Sequence, residues 1–190
     1  MLAAITFCKQ YPIIDVLPVM KGMYFNEHTK LLYYVKAAYI EGIGFLFDLT
    51  KFEQTPAVEF NEILSSSDST TGISFNFTGR LEDPTLTVIL NAKGSNVVYA
   101  DGEKLDSLSN VNAYKGNDEQ GWYWGVRFIL STSLLENVYG EVTFKVGDHI
   151  KGNVYAKLPG NDLDHFVSIT PFLYEDMLSK ENHNTFTLVS

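Results

Sequence analysis

The chain has 190 residues, 45% of them hydrophobic and 19% charged, a balance that builds a packed core and excludes an intrinsically disordered chain. Lys plus Arg number 14 against 23 for Asp plus Glu, a net charge of -9 with no basic cluster, so neither nucleic acid nor an anionic membrane surface is expected as a partner. Cys8 is the single cysteine, which excludes an intrachain disulfide and a cysteine-based zinc site.

A single domain over residues 1–190 is expected from this length. The apolar segment Met1 to Met20 lacks a basic start and is interrupted by Lys9, Asp15, Pro12 and Pro18, so it reads as neither a signal peptide nor a helix. No run of about 18 apolar residues suits a membrane span, and a cytoplasmic protein is expected. Leu31–Tyr39, Ile43–Leu49 and Leu86–Leu90 are apolar on both faces and read as central strands. Gly72–Thr78, Trp122–Leu130 and Glu141–Val146 alternate apolar and polar residues and read as half-buried strands.

Asn96–Ala100, Ile150–Tyr155, His165–Ile169 and Thr185–Val189 are shorter strand candidates. Turn signals such as Glu41-Gly42, Lys93-Gly94, Asp101-Gly102 and Gly147-Asp148 separate the runs. Gln54–Thr71, with its serine run, and Asp106–Gly121 read as long polar loops. Short helices are expected over Leu173–Lys180 and Thr132–Asn137. The pattern predicts an all-β, two-sheet antiparallel β-sandwich of about nine to eleven strands with at most one or two short helices.

Chemistry is sparse. Cys8 sits in apolar surroundings that favour an inert thiol. His28, His149, His165 and His183 show no metal-ligand spacing, and the sequence holds no nucleophile elbow or phosphate loop. Glu53, Glu59, Glu62 and Glu82-Asp83 are the carboxylate candidates for glycosidic chemistry, and each also reads as a solvated loop charge. Acidic loops leave calcium open as a ligand without an EF-hand pattern. The sequon Asn76-Phe77-Thr78 lies within a strand pattern and carries little weight as a glycan acceptor. Trp124 shares its face with Val126 and Phe128 and reads as core. Trp122, at the strand start beside Gln120-Gly121, is the candidate for an exposed ring on which a sugar stacks.

The C-terminal half resembles the carbohydrate-binding family 9-like domains, relatives of the DOMON β-sandwich superfamily, in their small stand-alone bacterial form. The resemblance rests on Trp124-Gly125-Val126-Arg127-Phe128-Ile129-Leu130, Lys151-Gly152-Asn153-Val154-Tyr155, His165-Phe166-Val167-Ser168-Ile169-Thr170-Pro171, and His183 before Phe186-Thr187-Leu188. Upstream, Thr87 to Gly94 (TVILNAKG) resembles a family strand ending in Asn-x-x-Gly. The likeness implies an immunoglobulin- or jelly-roll-like sandwich and places Asn91, Asn153, Tyr155 and His165 as ligand-binding candidates beside Trp122. Ile169 stands where many relatives carry Trp, and Gln54–Thr71 holds no tryptophan, so sandwiching of a sugar between two indoles does not carry over. Haem-binding relatives use a Met and a His; Met177 near His165 and His183 makes no such pair in register, and haem is not expected.

These readings lead to a non-catalytic module for a carbohydrate or small polar ligand. An interaction or structural protein that has lost the sugar site is the alternative, and a glycoside-active enzyme comes third. Exposed strand edges would serve a homodimer or another protein partner.

Overall fold

A strand that alternates apolar and polar side chains buries one face, and sheets of such strands close over a common core. The computed structural model describes residues 3–25, 31–56, 67–160, 164–171 and 179–190. Its strands are β1 (Ala3–Cys8), β2 (Met20–Lys21), β3 (Tyr24–Phe25), β4 (Tyr33–Ile40), β5 (Gly44–Lys51), β6 (Thr70–Asn76) and β7 (Leu86–Asn91). They continue as β8 (Asn96–Ala100), β9 (Glu103–Leu105), β10 (Val111–Asp118), β11 (Gly121–Ser131), β12 (His149–Leu158), β13 (His165–Ser168) and β14 (Asn184–Val189). The helix α1 (Thr132–Tyr139) follows β11, capped by the Ser131 hydroxyl on the Leu134 N–H and buried through Leu135.

The 14 strands form one hydrogen-bonded sheet, eleven of them along the path β10-β11-β5-β4-β1-β14-β12-β6-β7-β8-β9, with β2 on β4, β13 on β12 and β3 on β13, and the sheet curls on itself into a sandwich. β1 lies at the bend and runs parallel to both β14 and β4. The inward faces of the two halves meet through rings, Phe45 of β5 against Phe77 at 4.6 Å and Phe47 against Phe75 of β6 at 5.7 Å between centroids, and within one half Phe75 meets Phe186 of β14 at 4.9 Å. Trp124, Val126, Phe128 and Leu130 are buried with them, as the alternation of that strand predicts. A smaller apolar cluster of Ala38, Ile40 and Leu46 lies on the outer face, covered by Ile14 and Leu17.

The sheet has more strands than expected because β2, β3 and β9 are pieces of two or three residues. Three expectations are corrected. Glu141–Val146 is not a strand: its alternation instead inserts Val142 and Phe144 over the open end of the core, Phe144 standing 5.0 Å from Tyr39 and 4.9 Å from Phe45. In the following turn the Asp148 carboxylate accepts from the Lys145 N–H, and the Asp148 N–H donates to the Lys145 carbonyl. Asp106–Gly121 is not all loop, since β10 spans Val111–Asp118 and pairs antiparallel with β11. It reads as loop because it is an edge strand with neither face deeply buried. The helix after β11 extends to Tyr139, beyond the Asn137 expected.

The helix expected over Leu173–Lys180 falls mostly outside the described residues, as do His28, Glu59, Glu62 and Met177. Cys8 is half-buried in β1, and burial pushes its thiol pKa up. Asn76 of the sequon is only 6% exposed; its amide donates to the Arg80 and Asp83 carbonyls and its oxygen accepts from the Thr78 and Gly79 N–H groups. Among the described residues, no helix is long and apolar enough to cross a membrane.

Candidate functional site: a groove on the outer face of the sheet

In β12, β6, β7 and β8 the inward positions Val154, Ile73, Val88 and Val98 are apolar and fully buried. The intervening positions therefore build an outer face, and cross-strand partners project to the same side. One row runs Asn153, Ser74, Thr87, Tyr99 and Lys104 across five strands. The next runs Tyr155, Gly72, Ile89 and Val97. Gly72 is required there: a Cβ would lie 2.3 Å from the Val88 carbonyl oxygen and 3.0 Å from the Tyr155 hydroxyl, so the Tyr155 side chain lies down across the sheet.

Over these rows opens a cavity of about 700 Å³ lined by Thr85, Thr87, Ile89, Tyr99, Asp101, Gly102 and Lys180. The Asp101-Gly102 turn that joins β8 to β9 has both residues at positive φ, 45° and 87°, the backbone of a tight hairpin. It aims the Asp101 carboxylate back over β7, where Oδ1 accepts from the Thr85 N–H at 2.8 Å and pairs with the Lys180 ammonium at 2.8 Å. Burial opposes ionisation of Asp101, but Lys180 and the Thr85 N–H outweigh it and hold the carboxyl below its usual range.

Beside the cavity, the Ser74 hydroxyl contacts His183 Nε2 at 2.9 Å and accepts from Thr87 Oγ1 at 3.4 Å. Burial, with Lys180 and Lys151 nearby, lowers the His183 pKa to about 4 from an ordinary 6.5. Between those values the unfolded chain binds a proton that the folded chain refuses. Stability from this group is thus complete above pH 6.5 and declines as pH falls toward 4. In urea titrations across that interval, His183→Gln is expected to remove a slope of up to about 1.4 kcal/mol per pH unit. An unchanged slope would show that His183 titrates normally.

Of the residues singled out in the sequence, Asn153 and Tyr155 lie on this face. Asn153 is buried; its amide donates to the Thr170 and Asn182 carbonyls, and its oxygen accepts from the Thr170 N–H. It thereby ties residues on both sides of the 172–178 interval down to the sheet beside the groove, which is a positioning role. Tyr155 is likewise buried. Asn91, at the far end of β7, donates to Asp68 at 2.9 Å and accepts from the Lys93 and Ser95 N–H groups, building its own turn. His165 opens β13, half-buried. Trp122 is 51% exposed on the other half of the sandwich, at the start of β11. The structure does not bring these five residues into one site. Tyr99, Thr87, Asp101 and Lys180 had not been singled out as site residues.

A second polar cluster closes the sandwich end below Trp122. The Glu53 carboxylate oxygen Oε2 accepts from the Trp124 indole at 2.9 Å and from the Ser69 hydroxyl at 2.6 Å, and pairs with Lys51 Nζ at 3.0 Å. Lys51, wholly buried, also donates to Ser69 Oγ and to the Lys157 carbonyl at 2.6 Å, linking β5 to β12 across the core. Burial lowers its pKa to about 8 against the pull of Glu53. Of the other described carboxylate candidates, Asp83 binds Arg80 and Thr78 in a turn, and Glu82 is exposed. Among the described residues, no group of three or more His, Cys, Asp or Glu converges to hold a metal ion.

No protein-family model and no curated protein matches the chain. Solved structures do. A family 9 carbohydrate-binding module from Caldicellulosiruptor kristjanssonii in complex with cellotriose matches 100% of this chain and 94% of its own, at a TM-score of 0.68 and 7% identity. A family 9 module from the same organism in complex with glucose matches 97% and 95%, at 0.66 and 8% identity. A candidate carbohydrate-binding protein from Bacteroides uniformis matches 98% of each chain, at 0.71 and 13% identity.

Proposed function

From a fold shared with family 9 carbohydrate-binding modules, we propose that this protein is a non-catalytic carbohydrate-binding module whose ligand lies in the groove over β6, β7 and β8. The observation that carries the reading is the lining of that groove. The Tyr99 ring offers a stacking face, while the Thr87 hydroxyl and the Asp101–Lys180 pair offer donors and acceptors. A cavity of about 700 Å³ has the size of small-ligand sites. A pyranose presents the matching chemistry, apolar C–H groups on one face and hydroxyls around its edge.

The hydroxyl–imidazole pair beside the groove, Ser74 with His183, supports binding over turnover there. Ser74 is fully buried and His183 stays neutral far below pH 7, so the hydroxyl has neither access to substrate nor a base of matched pKa. A second reading, a protein-interaction module, draws on the exposed Tyr11, Ile13, Val16 and Val19 in the segment before β2. Calorimetric titration with glucose, xylose and their oligosaccharides tests the choice. Saturable binding that survives Trp122→Ala supports the groove, whereas loss of binding in that variant moves the site to the sandwich end. Absence of binding to the whole panel leaves the interaction reading.

A further inference from the structure

Resting on the groove as the sugar site, we infer that it selects an acidic sugar, a pyranose bearing a carboxylate such as a uronic acid, over its neutral counterpart. The chain carries a net charge of -9, which repels anions at long range. Yet this face gathers ammonium groups. Lys180 lines the cavity. Lys104 on β9 is the cross-strand partner of Tyr99 and projects to the same side. Lys151 on β12 shares the row of Asn76 and acts together with Lys180 on His183. Among the described residues near the cavity, the opposing carboxylates are Asp101, already engaged by Lys180 and the Thr85 N–H, Glu181 beside Lys180, and the exposed Glu103, whose side chain alternates with that of Lys104 to the other face of β9. Positive charge thus gathers around a cavity with room for a ligand.

The Lys180–Asp101 pair does not block this use. Its side chains are 52% and 43% exposed, and an ion pair so solvated is held weakly. Lys180 can therefore turn to a ligand carboxylate while Asp101 keeps its bond from the Thr85 N–H and accepts from a sugar hydroxyl. With the pyranose ring against Tyr99, the row that runs from Thr87 to Lys104 places hydroxyl, ring and ammonium in sequence across the sheet. A neutral sugar satisfies the first two and leaves the third unused.

The probes are glucuronic acid against glucose and galacturonic acid against galactose, titrated calorimetrically at about 20 and about 200 mM NaCl, where the Debye length is about 20 Å and about 7 Å respectively. The expected result is an affinity for the acid about tenfold higher at low salt, a preference that shrinks at high salt and falls further in Lys180→Gln and Lys104→Gln. Thermal melts of both exposed-site variants establish that they fold. Equal affinity for acid and neutral sugar, or a preference untouched by both substitutions, overturns the inference while leaving the groove as a sugar site. Binding of neither class overturns both.

Discussion

Replacing Lys51 with alanine is expected to lower the free energy of unfolding by about 3–5 kcal/mol, the range for removing one partner of a buried ion pair. The ammonium is wholly buried, and it joins Glu53, Ser69 and the Lys157 carbonyl. Its loss leaves the Glu53 carboxylate with two donors and no counter-charge in a site that water barely reaches. It also removes a link between β5 and β12, strands of opposite halves. The paired substitution Lys51→Met with Glu53→Gln is expected to recover most of the loss, because no uncompensated charge remains. Urea unfolding of the three proteins decides the matter. A cost below about 1 kcal/mol for Lys51→Ala would mean that the pair behaves as a surface one and that the sandwich end is held by its rings alone.

Tyr99→Ala is expected to weaken sugar binding at least about tenfold, equivalent to about 1.4 kcal/mol, since it removes the one ring among the described residues that line the groove. The melting temperature is expected to move little, because the tyrosine sits on the outer face of β8 and only its neighbour Val98 is fully buried. Tyr99→Phe keeps the stacking face and is expected to bind within about threefold of the parent protein, the hydroxyl contributing at most one solvent-competed hydrogen bond. Equal affinity of the alanine variant and the parent would remove the groove from consideration. Equal losses in the alanine and phenylalanine variants would assign the role to the hydroxyl.

Strand identity was legible wherever one face of a strand is buried. In β11 the alternation marks Trp124, Val126, Phe128 and Leu130 as one buried face, and Trp122, in the same register, is exposed because it stands at the strand start. The strand β1 gave no such signal: Ala3–Cys8 (AAITFC) has only Ile5 fully buried, and its place between β14 and β4 depends on partners as distant as Phe186 is from Ala3. Glu141–Val146 had the right alternation and no strand to pair with, so periodicity alone misassigned it. The groove was harder still. Thr87 meets Tyr99 through the register of β7 and β8, and Lys180 reaches Asp101 across more than seventy residues. Local signals existed only in part, in the polar positions of β7 and the Asp101-Gly102 turn. The resemblance drew attention to Asn153, which bonds Thr170 and Asn182, and to Tyr155, which is buried on the same face.

The most direct test of the groove is a nitrogen-resolved NMR titration of the labelled protein with glucose and with glucuronic acid. The account predicts saturable shifts at the backbone amides of Thr87, Tyr99 and Asp101 and none at the Trp122 indole. Shifts confined to the Trp122 indole and the neighbouring amides at the start of β11, with the groove silent, would contradict it.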